Sequence, residues 1–223
     1  MQDKIIPPLL LACCFLILFG FAEFLFHKRN VRAEWTRKIV HFGTGILALS
    51  FPILLHDHWQ VLFLCGSFLI LLLISLRYHL LRSINGIDRL SYGSILFPIV
   101  VYGCFLAHVF SQKGLIMFYL PILILAICDP VAALIGKRYP YGTYQIWNGK
   151  KTLSGSVAFF IFAFFITFSA FYFWEVSNKG ISHHHNAVIL IPVVATISEA
   201  VGVKGTDNFT IPASVVFTLY LVL

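Results

Sequence analysis

The residues from Asp129 to Ser156 bring together side chains that rarely share an apolar chain without a chemical reason. Asp129 stands inside a long apolar run. Four cations follow in one polar stretch, Lys137, Arg138, Lys150 and Lys151, and then Ser154-Gly155-Ser156 opens the next apolar run. An ionisable group within a membrane helix is costly and marks a functional candidate. Cations beside a helix start rich in small residues suit a phosphate, which takes charge-assisted hydrogen bonds from side chains and free backbone N–H groups. The chemistry indicated is phosphoryl or nucleotidyl transfer. That reaction asks the protein for cations on phosphate oxygens, carboxylates for Mg²⁺, and a group that orients the attacking hydroxyl.

The remaining candidates fit this scheme. Glu199 lies near the end of an apolar run, and Asp207-Asn208 opens the last one. With Asp129 they supply the hard oxygens that Mg²⁺ prefers. Glu34, Lys38 and His41 recur at i, i+4 and i+7, on one face of a helix. Lys150 and Lys151 supply charge, and Gly155 lets backbone approach a phosphate. Each feature alone has a plainer reading: lysines as topology anchors, serines as an N-cap, Asp129 as half of a buried ion pair. Their conjunction favours a site. Glu23 is equally compatible with a structural pairing, and Asp88 beside Arg89 reads as a surface ion pair. His183-His184-His185 lacks helical metal-ligand spacing and reads as a solvated loop.

The elements that must position these groups are membrane helices. The 223 residues are 59% hydrophobic and 11% charged, against about 25% charged for soluble domains, and the mean hydropathy is +0.89. Eight spans are expected, near 5–26, 39–55, 60–77, 93–110, 114–136, 153–174, 187–202 and 209–223, giving an all-α polytopic membrane protein of one domain, 1–223. The first is expected to be a retained helix rather than a cleaved signal. Thirteen of the sixteen Lys and Arg fall in alternate loops on one side, which predicts those loops in the cytoplasm and both termini opposite. Asp129 then sits roughly 10 Å in from that face at 1.5 Å per residue. The net charge of +7 is explained by these loops, and no nucleic-acid surface is expected. The five cysteines lie in apolar runs without CxxC spacing, which argues against disulfides and zinc. Gly149-Lys150-Lys151-Thr152 lacks the preceding glycine and the Ser/Thr of a P-loop.

In order along the chain, several elements resemble the CTP-dependent polyprenol and lipid kinases: phytol kinase, dolichol kinase and the CTP-dependent diacylglycerol kinase. They are Glu34 with Arg37-Lys38 and His41 to Gly45; Arg89 with Ser91-Tyr92-Gly93 and Phe97-Pro98; Asp129 with Ala132 and Gly136; Lys150-Lys151-Thr152 with Ser154-Gly155-Ser156; Glu199; and Asp207-Asn208 with Pro212. The resemblance implies a membrane enzyme that phosphorylates a lipid alcohol from CTP with a divalent metal. Asp129, Lys150 and Lys151 are the expected catalytic residues. Lys38, His41, Arg89, Ser154, Gly155, Ser156 and Asn208 are expected on the nucleotide, and Asp129, Glu199 and Asp207 on the metal. Two departures stand out: Cys128-Asp129-Pro130 where the family often has Gly before the Asp, and Pro140-Tyr141-Gly142 after Gly136. A phosphatidate cytidylyltransferase, which uses the same nucleotide, is the alternative, although its His-Gly-Gly signature is missing. A transporter is a weaker one, because the charges cluster at one face and no repeat is visible.

Overall fold

The chain's apolar runs become helices because lipid leaves no other way to satisfy their backbone. A computed structural model describes residues 2–78, 80–86, 91–147, 149–178 and 185–223. Helix α1 spans Gln2–Arg29, α2 Ala33–Ala48, α3 Phe51–Leu54, α4 His58–Tyr78, α5 Arg82–Asn85 and α6 Gly93–Ser111. Next, α7 (Ile116–Leu123) continues through a π-helical turn, Ile124–Cys128, into α8 (Asp129–Arg138). A hairpin of β1 (Thr143–Ile146) and β2 (Gly149–Thr152) precedes α9 (Leu153–Asn178), α10 (His185–Val201) and α11 (Asp207–Val222).

All eight expected spans have helical counterparts. Among the described residues, five helices are long and apolar enough to cross a membrane: Ile5–Arg29, His58–Tyr78, Gly93–Ser111, Ile116–Arg138 and Leu153–Phe173. The second span is shorter than expected. It ends as α2 at Ala48, and a turn at Leu49-Ser50 separates it from α3. The last two helices are also short, 17 and 16 residues. The stretch 137–152, expected to be a loop, contains the hairpin. Only β1 alternates, as Thr143-Tyr144-Gln145-Ile146, and over four residues, while β2 has no apolar side chain, so the strand signal is too short to stand out.

The continuous helix from Ile116 to Arg138 is the most enclosed of the five. Ile122, Ile124, Leu125, Ala126 and Cys128 are fully buried. Around it, α9 packs on α8 and α10, α11 on α10 and α6, and α4 on α6. Helix α1 buries a stripe of Leu11, Phe15, Phe19 and Ala22 at three- and four-residue spacing, with Phe15 and Phe19 against Phe68. Helix α2 packs on α1 and crosses the π-helical turn through Gly45. A Cβ there would stand 2.3 Å from the Ala126 Cβ. Gly45→Ala must therefore push α2 off the central helix. We expect a loss of about 1–3 kcal/mol, as for other overpacked cores, read as a lower melting temperature in detergent.

The four basic connections meet at one end of the bundle. Lys137 pairs with Glu34, and Arg37 donates to the Ser91 hydroxyl at 2.9 Å. The Tyr92 N–H donates to the Lys204 carbonyl at 2.8 Å. Glu23 is structural, as one reading had it: it accepts the Ser83 N–H at 2.8 Å and pairs with His27 at 3.0 Å. Thr36, fully buried, donates to the Ser83 carbonyl at 2.6 Å. Both contacts hold α5 against α1 and α2. Asp88, Arg89, His183 and His184 lie outside the described residues.

Candidate functional site

A cavity of about 1050 Å³ opens at this end and runs between α1, α2, α4, α6 and α8. Its polar mouth collects residues from every basic connection. Asp129 is placed there by the π-helical turn, an irregularity often found at functional sites. Pro130 explains part of the local geometry. It has no N–H, so it gives no helical hydrogen bond back to the preceding turn. Within that turn the Leu125 carbonyl meets the His41 Nε2 at 3.2 Å. A carbonyl only accepts, so this contact requires the proton on Nε2. The same nitrogen lies 3.7 Å from Asp129 Oδ2. That one N–H is spent on the Leu125 carbonyl, and 3.7 Å is beyond a hydrogen bond, so His41 stands beside Asp129 without donating to it. With its proton on Nε2, His41 has no basic lone pair at that nitrogen.

The hairpin sorts the two adjacent lysines. Tyr144 stands opposite Lys151, and Gln145 opposite Lys150. Side chains alternate along a strand, so Lys151 and Tyr144 share the inner face while Lys150 and Gln145 share the outer one. Lys151 pairs with Glu199 and lies 3.6 Å from Asp207 Oδ2. Lys150 is exposed, although it too lines the cavity. Burial disfavours the Lys151 ammonium, but the Glu199 and Asp207 carboxylates outweigh it and raise the pKa above the ordinary lysine value. Lys151 therefore stays charged throughout the neutral range.

Glu199 is 5% exposed, and its Oε2 has no hydrogen-bond partner among the described atoms. Asp207 is brought beside it by a tight turn in which Lys204 and Gly205 take φ of 52° and 86°. A Cβ on Gly202 would stand 2.7 Å from the Asp207 Cβ, so the turn closes only over glycine. Asn208 lines the cavity, and its Nδ2 is committed to the Gly93 carbonyl at 2.9 Å. Lys38 lines the mouth with its ammonium 5.6 Å from the Trp35 ring.

The Ser154-Gly155-Ser156 segment divides. Ser156 lines the cavity and shares a 2.6 Å hydrogen bond with the Tyr144 hydroxyl. Gly155 also lines it, but its N–H is taken by Thr152 Oγ1 at 3.2 Å. Its missing side chain serves the crossing with α8, where a Cβ would stand 3.0 Å from the Ala132 carbonyl. Ser154 is not among the lining residues, because its hydroxyl donates to the Tyr139 carbonyl. Ser154→Ala is expected to cost about 0.5–1.5 kcal/mol, one ordinary hydrogen bond, and to leave kcat/KM within about twofold of wild type in steady-state assays. Ser156→Ala should change it more.

The structure adds Arg37, Ser91 and Tyr144 to the mouth or its support. Arg37 stood in a recognised motif and could have been assigned from its place one residue before Lys38. Tyr144 gave no signal, since its role depends on the hairpin register. Arg89 lies outside the described residues.

The mouth carries Arg37, Lys38, Lys137, Lys150, Lys151 and Lys204 against Glu34, Asp129, Glu199 and Asp207. That excess of cations suits a polyphosphate. Among the described residues, no group of three or more His, Cys, Asp or Glu side chains is gathered to hold a metal ion alone. Mg²⁺ is commonly held by one or two carboxylates together with substrate phosphates. Asp129 and Asp207 lie within electrostatic reach of one another, and Glu199 Oε2 is open. The donor set fits that mode.

No family model and no solved structure matches the chain. Two characterised proteins do. The phytol kinase of Synechocystis sp. is 30% identical over 197 residues, covering 86% of this chain and 80% of that protein. Phytol kinase 1, chloroplastic, of Arabidopsis thaliana is 26% identical over 215 residues, covering 87% of this chain and 68% of its own length.

Proposed function

Because the chain belongs to the phytol kinase family, and is therefore a lipid-alcohol kinase of the membrane, we propose that it transfers the γ-phosphoryl group of CTP to the hydroxyl of a prenyl alcohol such as phytol. The observation that carries this reading is one cavity, charged at its mouth and apolar beyond it, in which a nucleotide and a lipid hydroxyl can meet at Asp129. Ligand pockets commonly occupy about 300–1,000 Å³, so this cavity has the size for two substrates. Polyprenols, dolichol and diacylglycerol are the other alcohols of the same reaction class.

The alcohol oxygen attacks the γ-phosphorus, its proton passes to Asp129, the bond to the β-phosphate oxygen breaks, and CDP leaves. His41 lines the pocket beside Asp129, 3.7 Å from its Oδ2. Lys151, with Arg37 and Lys38 at the mouth, neutralises the phosphate oxygens, and Ser156 donates to them. Asp207 and Glu199, with Asp129 near, would hold a Mg²⁺, which would supply charge to offset that of the phosphates. Transfer of this kind is governed by positioning and electrostatics. The lysine and arginine bias of the loops supports a cytoplasmic mouth, where nucleotides are available.

The test is product analysis on purified protein with CTP, ATP, GTP and UTP, with and without EDTA. CDP and an alcohol monophosphate, formed from CTP and abolished by EDTA, are expected. Pyrophosphate and a CDP-lipid would instead assign a cytidylyltransferase.

A further inference from the structure

Past His41 the cavity continues away from its charged mouth, and its lining turns apolar. Helices α1, α2, α4 and α6 line it, α6 through Phe97, Pro98 and Val101, and the lining positions run out at a level short of the far end of the bundle. On α2 the lining positions run from Glu34 through His41 and Thr44 to Ala48, with Phe51 following. On α4, which runs the opposite way, they end at Leu64, and on α1 they end at Phe15. Beyond that level Leu11, Leu55 and Val61 are buried in solid core and line no part of the cavity. The end is closed, with Ala48 0%, Phe51 2% and Phe15 5% exposed, and the Phe15 and Phe51 rings meet edge-on at 6.1 Å.

We propose that this blind limb is a chain-length gauge: the hydrocarbon tail of the alcohol lies in it, and Phe15, Ala48 and Phe51 meet its far end. The inference rests on the kinase reading for the identity of the tail. The hydroxyl is fixed at Asp129, so the depth of the limb limits how much tail fits behind it. From His41 to Ala48, within α2, is roughly 10 Å at 1.5 Å per residue, and Phe51 follows after the Leu49-Ser50 turn. A tail of a few isoprene units fills that depth. A much longer one has no room beyond Phe51 and must bend back or leave sideways. The residues at the end are therefore specificity-determining residues far from the reacting atoms.

The test compares geraniol, farnesol, geranylgeraniol and undecaprenol as substrates of wild type, Phe51→Ala and Ala48→Phe. Each readout is the ratio of kcat/KM for a long alcohol to that for a short one. A ratio cancels any loss of folded protein. Wild type should discriminate against undecaprenol. Phe51→Ala should raise the long-to-short ratio, and Ala48→Phe lower it, by about tenfold or more, as expected when a pocket gains or loses several methylene volumes. Unchanged ratios in both variants, with kinase activity intact, would overturn the gauge and leave the kinase standing. A second arm needs no turnover. Farnesol carrying a diazirine on its terminal isoprene, added without nucleotide, should label Phe15 and Phe51. Labelling confined to lipid-facing positions such as Phe63 and Ile70 would overturn the gauge. Absence of phosphorylation of any alcohol, together with labelling at Phe15 and Phe51, would sink the kinase reading and keep the chain site.

Discussion

Lys151→Ala should lower kcat/KM by about 10²–10³-fold, the usual effect of removing one preorganised charge from a transferring group, while Lys150→Ala should lose less than about tenfold, as fits an exposed charge. The sequence neighbours differ because the hairpin turns one inward to Glu199 and Asp207 and the other outward. Lys151→Ala has a second consequence. It leaves Glu199, 5% exposed, without its cation. Breaking such a pair costs about 3–5 kcal/mol, so the variant should also melt at lower temperature. The two effects separate in the double variant Lys151→Met with Glu199→Gln. Its melting temperature should recover most of the loss, and its activity should not. Recovery of activity along with stability would make Lys151 a structural residue only. The raised pKa of Lys151 adds a pH expectation. Its stabilising contribution is fully present below the unfolded lysine value and is lost only as pH rises through the higher folded value. Activity near neutrality should therefore show no titration from this group.

Asp129→Asn should reduce kcat by about 10²–10⁴-fold, the range for loss of a proton acceptor, with little change in the KM for CTP. The amide keeps the size of the carboxylate, and His41 keeps its bond to the Leu125 carbonyl, so the fold should persist. It cannot accept the alcohol's proton. His41→Ala should cost less, because its Nε2 proton is held by the Leu125 carbonyl and that nitrogen takes no proton from the alcohol. Steady-state kinetics across a Mg²⁺ series distinguishes the roles of the carboxylate. A fall in kcat that Mg²⁺ does not rescue marks the proton acceptor. Rescue by excess Mg²⁺ would make Asp129 chiefly a metal ligand.

Much of this site was visible before any coordinates. Apolar length and the loop cations placed eight helical segments and gathered the basic connections on one side, because those signals are set by the membrane rather than by tertiary packing. Asp129, Lys151, Glu199 and Asp207 stood out because charge is scarce in this chain, and the structure brings Lys151, Glu199 and Asp207 into direct contact and Asp129 into the same cavity. What was hidden depended on local geometry without a sequence period. Strands of only four residues, Thr143–Ile146 and Gly149–Thr152, the second without an apolar side chain, read as loop, so the opposite facing of Lys150 and Lys151 was invisible. Ser154 belongs by type to a phosphate cradle, yet its hydroxyl serves Tyr139. The Pro130 departure reads as a defect in sequence. In the structure it follows a π-helical turn whose Leu125 carbonyl meets His41.

The central claim is phosphoryl transfer to an alcohol at the Asp129–Lys151 mouth. Its most direct measurement uses purified protein in lipid nanodiscs with phytol and CTP labelled at the γ-phosphate. The label should appear in phytyl phosphate at a rate that saturates in both substrates and collapses in Asp129→Asn. Label remaining in CTP or released only as inorganic phosphate, or a full rate in Asp129→Asn, would contradict the account.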